Sequence, residues 1–216
     1  MHTTAYRYGK AFFDKYVKGD KIKIVEIGSQ DINGSLKDHS PSTAEYIGLD
    51  FVPGKSVDIV LQDAYHFPLA DNSTDVVVTS SCFEHSQFFW ETFMEALRIL
   101  KPTGVMYINV PSNGPYHTYP TDNWRFYPDA AKALANYANY KGVNSTVLES
   151  FIGAKIPPKS GQWNDFVAVI IKDEQYVDLY QDRMYNTLSP ELQPTQVWLY
   201  GQDSIINPPF DKVQEL

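Results

Sequence analysis

The sequence predicts an α/β fold: a Rossmann-like seven-stranded mostly parallel sheet with one antiparallel strand and helices on both faces. Three observations carry this reading. The apolar run Ile22–Ile27 stops at Gly28 and a polar loop, as a first parallel strand does where it opens into a pocket at its carboxyl end. Short β-branched runs then alternate with amphipathic stretches, the pattern of a parallel sheet with crossovers. Finally, the last two apolar runs, Val143–Phe151 and Asp165–Ile171, are joined by a stretch with no helical periodicity, which makes them an antiparallel hairpin.

Taken in order, Thr3–Val17 is a leading helix with Tyr6, Phe12, Phe13 and Tyr16 on its apolar face. Glu45–Asp50 is a second short strand ending in an acid, and Val57–Val60 a weak third that leads into Asp63. Asp75–Ser80 is nearly all β-branched, as a central strand covered on both faces requires. Ser86–Leu100 places Phe89, Phe93, Leu97 and Leu100 on one helical face and is stopped by Lys101-Pro102-Thr103-Gly104. Val105–Val110 is the fifth strand. Pro128-Asp129 opens a helix through Tyr140 that Lys141-Gly142 ends. Tyr176–Tyr185 has weak helical character, and Ser189–Phe210 reads as an irregular tail whose Trp198, Leu199, Tyr200 and Phe210 are too apolar for a disordered segment. The expected organisation is one domain over residues 1–173, residues 1–20 forming the leading helix, and an extension over 174–216 that packs on the core or on a second subunit.

Composition narrows the function classes. The 216 residues are 43% apolar, enough for a full core, and carry a net charge of −8 with acids and bases interspersed. That balance leaves no electrostatic footprint for DNA or RNA and disfavours an anionic membrane surface. Cys82 is the one cysteine, which fits a reducing cytosol. No run approaches the ~20 apolar residues of a membrane span, and the N-terminus lacks the apolar core of a signal peptide. The expectation is a soluble, cytoplasmic protein.

The loop after the first strand selects among nucleotide cofactors. A dinucleotide site wants G-x-G-x-x-G, whose second glycine admits a pyrophosphate. Here the spacing runs from Gly28 to Gly34, with Gln30, Asp31 and Asn33 where small residues are wanted. Glu26 and Asp31 would repel a diphosphate, whereas acids suit a cofactor carrying an ammonium and a sulfonium. The loop therefore favours S-adenosylmethionine (SAM) over NAD.

Several segments in order carry a resemblance. Val25-Glu26-Ile27-Gly28-Ser29-Gln30-Asp31, Tyr46-Ile47-Gly48-Leu49-Asp50, Asp63-Ala64, Phe67–Val77, Phe83-Glu84-His85 and Leu97–Gly104 together resemble a class I SAM-dependent methyltransferase of the methyltransferase type 11 group. The resemblance spans about residues 20–173, and the glycine loop is bulkier than the family's G-x-G-x-G. It implies that Gly28, Ser29, Gln30 and Gly34 line the methionyl end of SAM, with Glu26 supporting that loop or the ammonium. Asp50 would accept hydrogen bonds from two ribose hydroxyls, a task for which a carboxylate has the acceptor oxygens. Phe51 stacks on adenine or belongs to the core. Asp63 would accept the adenine amine, with the Ala64 amide on a ring nitrogen. Ser80, Ser81 and Cys82 follow the fourth strand at the reaction edge, where Cys82 reads as a packing residue.

The loop Pro111–Tyr127 leaves the same edge of the sheet and is rich in aromatics, with His117, Asp122 and Arg125 among them. It resembles the Tyr-Pro-x-Asp-x-Trp-Arg-Phe segment of bacterial methyltransferases found near glycan- and surface-polysaccharide-type enzymes. His117 is the best general base by its unperturbed pKa near 6.5, with Tyr116, Tyr119 and Asp122 as alternates. Trp124 and Arg125 serve the substrate or staple the loop, Arg125 pairing with Asp122. Glu84-His85 reads as an ordinary helix start. A metal would need His85, His117 and carboxylates to converge, and no ligand spacing supports one. The functional expectation is SAM-dependent methyl transfer to a small-molecule or carbohydrate acceptor, at an oxygen, by a chain that forms a homodimer. The alternatives are an NAD-dependent Rossmann oxidoreductase and a non-catalytic SAM-binding partner subunit.

Overall fold

The computed structural model describes residues 1–156 and 163–206. The strands are β1 (Lys23–Ile27), β2 (Glu45–Asp50), β3 (Ile59–Val60), β4 (Thr74–Ser80), β5 (Leu100–Pro111), β6 (Thr146–Ile152), β7 (Asp165–Ile171) and β8 (Gln196–Leu199). They form one eight-stranded sheet in the order β3-β2-β1-β4-β5-β7-β6-β8. The run from β3 to β5 is parallel. β7 inserts between β5 and β6 and pairs antiparallel with both, the expected hairpin. The helices are α1 (Thr3–Tyr16), α2 (Phe89–Ile99) and α3 (Pro128–Tyr140).

Both faces of the sheet are buried, with the period of two that a covered strand demands. On β4, Val77 joins Phe93, Leu97, Ala131 and Leu134 under α2 and α3, while Val76 and Val78 face α1 with Phe12 and Tyr16. On α1 the stripe Ala5, Tyr8, Phe12, Phe13 and Tyr16 is buried, and the Phe12 ring lies 4.7 Å from that of Tyr107 on β5. Burying each such side chain stabilises the fold by roughly 1.5–3 kcal/mol.

After the Gly28 loop stands a single 3-10 turn, Leu36–His39, and α1 covers that face. The structure corrects three local expectations. α2 begins at Phe89 rather than Ser86, so Glu84 and His85 lie in the loop at the end of β4. Lys101-Pro102-Thr103-Gly104 does end the helix, but as a bulge within β5 between the pairs Thr74–Leu100 and Val76–Val105. The tail is regular where irregularity is expected. Its Gln196–Leu199 becomes β8, antiparallel to β6, so the sheet has a second reversed strand beside β7. Phe210 falls outside the described residues.

Tail and leading helix meet at Glu149 of β6, which is fully buried. Its carboxylate accepts from the Tyr16 hydroxyl, from Met184 N at 2.8 Å and from Tyr185 N at 2.9 Å. Tyr8 donates to the Leu192 carbonyl at 2.9 Å. Short 3-10 turns between Glu174 and Leu192 place Met184, Leu188 and Leu192 on the same core face as α1. No helix among the described residues is long and apolar enough to cross a membrane.

Because Phe12 of α1 is fully buried in the core on that face, Phe12→Ala should lower unfolding free energy by about 3–5 kcal/mol, read by urea denaturation. A loss under about 1 kcal/mol would show that α1 is not part of the core.

Candidate active site

Between β1 and β4 the chain leaves the sheet in opposite directions, and a cleft of about 610 Å³ opens at their carboxyl ends. Its floor depends on one glycine. Gly28 has φ +74°, and a Cβ there would stand 2.8 Å from the Cys82 Cβ. That close approach brings the β1 exit onto the β4 exit. The Gly28 and Ser29 amides donate to the Leu49 carbonyl at 2.9 and 3.1 Å, which holds the loop against β2. Asp31 closes the loop by accepting from Gly34 N at 2.8 Å and pairing with Lys55 at 2.5 Å.

Most of the residues named from sequence meet here. Glu26, Gly28, Ser29, Gln30, Gly34, Asp50, Phe51 and Ser80 all line the cleft, with His117 and Tyr119 opposite. Asp50 accepts from Gln30 N at 3.0 Å and from Phe51 N at 2.7 Å, so its carboxylate is fixed at the rim. Phe51 is 56% exposed, which places it on the cleft wall and not in the core. Asp63 and Ala64 are not among the lining residues; Asp63 Oδ1 accepts from Tyr65 N at 2.8 Å, and Leu61 lines the cleft. Asp122 does not line it either. Its side chain is 1% exposed and is clamped by Arg125, whose two terminal nitrogens donate to Oδ1 and Oδ2 at 2.6 Å. It also accepts from His117 N at 2.8 Å, and the Arg125 guanidinium holds its carboxyl well below the usual range. An ionised, guanidinium-bound carboxylate is a poor proton acceptor, so Asp122 supports the loop and is not a base.

Reading the sequence missed Met1, His2, Thr118 and Trp163, which also line the cleft, and underrated Glu84 and His85. The His117 and Trp163 rings stand edge to face at 4.8 Å, and Arg125 lies over Trp163. Glu84 is 1% exposed, in the cleft wall between the exits of β4 and β5. A Glu84 oxygen and a ring nitrogen from each of His85 and His117 lie within 4.8 Å of one another. The signal was available: the β4 and β5 exits are adjacent, so the segments after them must converge.

The electrostatics are those of a site for a cation. Glu26, Asp50 and Glu84 line the cleft, and no lysine or arginine is among the described lining residues. Burial pushes the Glu26 carboxyl from 4.5 up to about 7, against the pull of the Tyr46 and Ser35 hydroxyls. Burial likewise raises Glu84 to about 8 and the Cys82 thiol to about 12, which leaves Cys82 an inert packing residue. Ser29 Oγ, Ser80 Oγ and Glu84 Oε2 are buried lining atoms without a hydrogen-bond partner. Buried polar atoms are ordinarily satisfied, so three orphans in one cleft point to a polar ligand. A SAM molecule, with its ammonium and sulfonium, fits this lining. The ammonium would face Glu26 and the Gly28 loop, and the ribose hydroxyls Asp50.

Residues 33–108 match the family model for the methyltransferase domain, a span that holds β2–β4, α2 and most of β5 but not the loop at Gly28. Over that stretch the sequence is similar to a methyltransferase domain. Solved structures share its fold. One is the Burkholderia thailandensis 1,6-didemethyltoxoflavin-N1-methyltransferase, crystallised with 1,6-didemethyltoxoflavin and S-adenosylhomocysteine (TM-score 0.62, 16% identity, 79% of each chain covered). Another is a Haloferax volcanii complex of the Trm112 methyltransferase activator with a putative methyltransferase (TM-score 0.57, 16% identity, 80% of this chain and 91% of that one). A third is the cyclase SpnF (TM-score 0.56, 12% identity, 78% and 81%). At such identities the likeness is one of fold, and the cyclase shows that the methyltransferase fold hosts other chemistry. Among curated proteins none matches by sequence.

Both raised acids bind protons more tightly in the folded protein than in the unfolded chain. Their stabilising contribution is therefore full below about pH 4.5 and is lost as pH rises through 7 and 8. Urea denaturation of the ligand-free protein should show stability falling between about pH 5 and 8, and Glu26→Gln should remove about 3 kcal/mol of that fall. A wild-type profile that is flat or rises across this window would contradict the assigned burial.

Proposed function

We propose that this methyltransferase transfers the SAM methyl group to a hydroxyl oxygen of a small-molecule or glycan-type acceptor. The observation that carries the proposal is the second half of the cleft. Beyond the residues assigned to the cofactor, it is walled by Glu84, His85, His117, Tyr119 and Trp163, a polar and aromatic surface suited to a hydroxylated molecule. SAM supplies an activated methyl on a good leaving group, so the protein has no electrophile to build. Its own residues hold acceptor and methyl in line, exclude water and take up a proton.

His117 is the proposed proton acceptor. It sits on the cleft wall, and its Nδ1 is 3.2 Å from Asp122 Oδ2, which is placed to orient the ring and stabilise its cation. As the oxygen–methyl bond forms, the methyl–sulfur bond breaks, the hydroxyl proton passes to His117 and S-adenosylhomocysteine is released. Tyr119, 61% exposed at the mouth, offers a ring face to the acceptor. The loop from Pro111 to Tyr127 is pinned by backbone bonds from Asn123 N and Trp124 N to the Glu84 carbonyl at 2.8 and 3.2 Å, so it forms a fixed wall.

The test is methyl transfer from labelled SAM across a panel of sugar and small hydroxylated acceptors, with each active acceptor repeated on variants. Asp50→Ala should raise the SAM KM at least ten-fold, roughly the loss of two charge-assisted hydrogen bonds. His117→Ala should lower kcat about 100-fold or more with SAM affinity kept. Full activity in His117→Ala would remove it as the base, and product methylated on nitrogen would overturn the oxygen assignment.

A further inference from the structure

The convergence of Glu84, His85 and His117 has a feature that proton transfer leaves unused. The His85 Nδ1 donates to the Thr121 carbonyl at 2.5 Å; a carbonyl only accepts, so the proton is on Nδ1 and Nε2 carries a lone pair. That lone pair faces Glu84 Oε1 at 3.7 Å. At that distance no hydrogen bond joins the two groups across the buried gap. The second Glu84 oxygen is buried and unpartnered. The His117 ring completes the group, edge-on to His85 with centroids 4.9 Å apart.

We infer that Glu84, His85 and His117 form a binding site for a first-row divalent metal ion. Two imidazoles and a carboxylate are a donor set for such ions, and three protein ligands leave coordination positions open toward the cleft. The outer partners of a metal-binding histidine pair are present as well. The Thr121 carbonyl holds His85 and the Asp122 carboxylate stands 3.2 Å from His117, each placed to orient a ring. Arg125 does not oppose the ion, because its charge is matched by Asp122 through two bonds. Among the described residues no other group of histidines, cysteines and acids converges this way. An ion bound here would occupy His117, so metal and proton would compete for that ring. The site follows from side-chain geometry alone and does not rest on the oxygen-acceptor reading.

The experiment is a titration of chelator-treated protein with Zn²⁺ by calorimetry and with Co²⁺ by visible absorption, followed by S-adenosylhomocysteine on the same metal-free sample. One equivalent of each ion should bind, Co²⁺ giving d–d bands of a low-symmetry nitrogen–oxygen site. His85→Ala and Glu84→Gln should each weaken Zn²⁺ at least about ten-fold. Should either variant unfold, the Co²⁺ spectrum of the wild type decides alone. Absence of saturable binding, a spectrum of hexa-aquo Co²⁺, or affinity unchanged in folded variants overturns the site. The S-adenosylhomocysteine titration keeps that failure distinct from failure of the cofactor assignment.

Discussion

The approach of Gly28 to Cys82 is the constraint on which the rest of the molecule depends. It lets the exits of β1 and β4 touch at the base of the cleft while their chains diverge above it. A side chain at position 28 would be strained by φ +74° and would meet Cys82 at 2.8 Å, pushing apart the two strands whose ends carry the site. From that contact follow the Ser29 and Gln30 amides aimed at Leu49 and Asp50, and the position of Glu84 two residues beyond Cys82.

The cleft gives up stability for function. Glu26 and Glu84 are buried with too few partners to repay their desolvation, and Ser29 and Ser80 leave hydroxyls unmatched. These costs are borne by a sheet buried on both faces, with α1 and the tail locked together through Glu149. A cationic cofactor would satisfy the acids it meets, so the same groups that weaken the empty protein become its binding energy.

How much of this was legible in the sequence follows from how local each signal is. Gly28, Asp50 and the β-branched β4 are short-range signals, and the structure places them as read. The Pro111–Tyr127 loop announced itself by composition, and the Asp122–Arg125 pair appears as the staple anticipated for it. What sequence could not show was set by tertiary contact. After β1 only a 3-10 turn forms, and α1, which precedes β1 in the chain, covers that face. β8 has too few residues for a period of two to register, and exists because β6 offers it an edge. Asp63, expected at adenine, is not among the cleft's lining residues, and its Oδ1 accepts from Tyr65 N within its own turn. Glu84-His85 looked like a helix start because helix ends are set by caps that spacing does not reveal; once α2 is seen to begin at Phe89, both fall into the cleft wall.

The most direct test of the central claim, an acidic cleft built for a sulfonium nucleotide, is calorimetric titration of the purified protein with SAM, S-adenosylhomocysteine and NAD in parallel. The account predicts micromolar binding of the first two, weakened strongly by Asp50→Ala, and none of NAD. Binding of NAD, or a folded protein that takes up neither SAM nor its product, would contradict it.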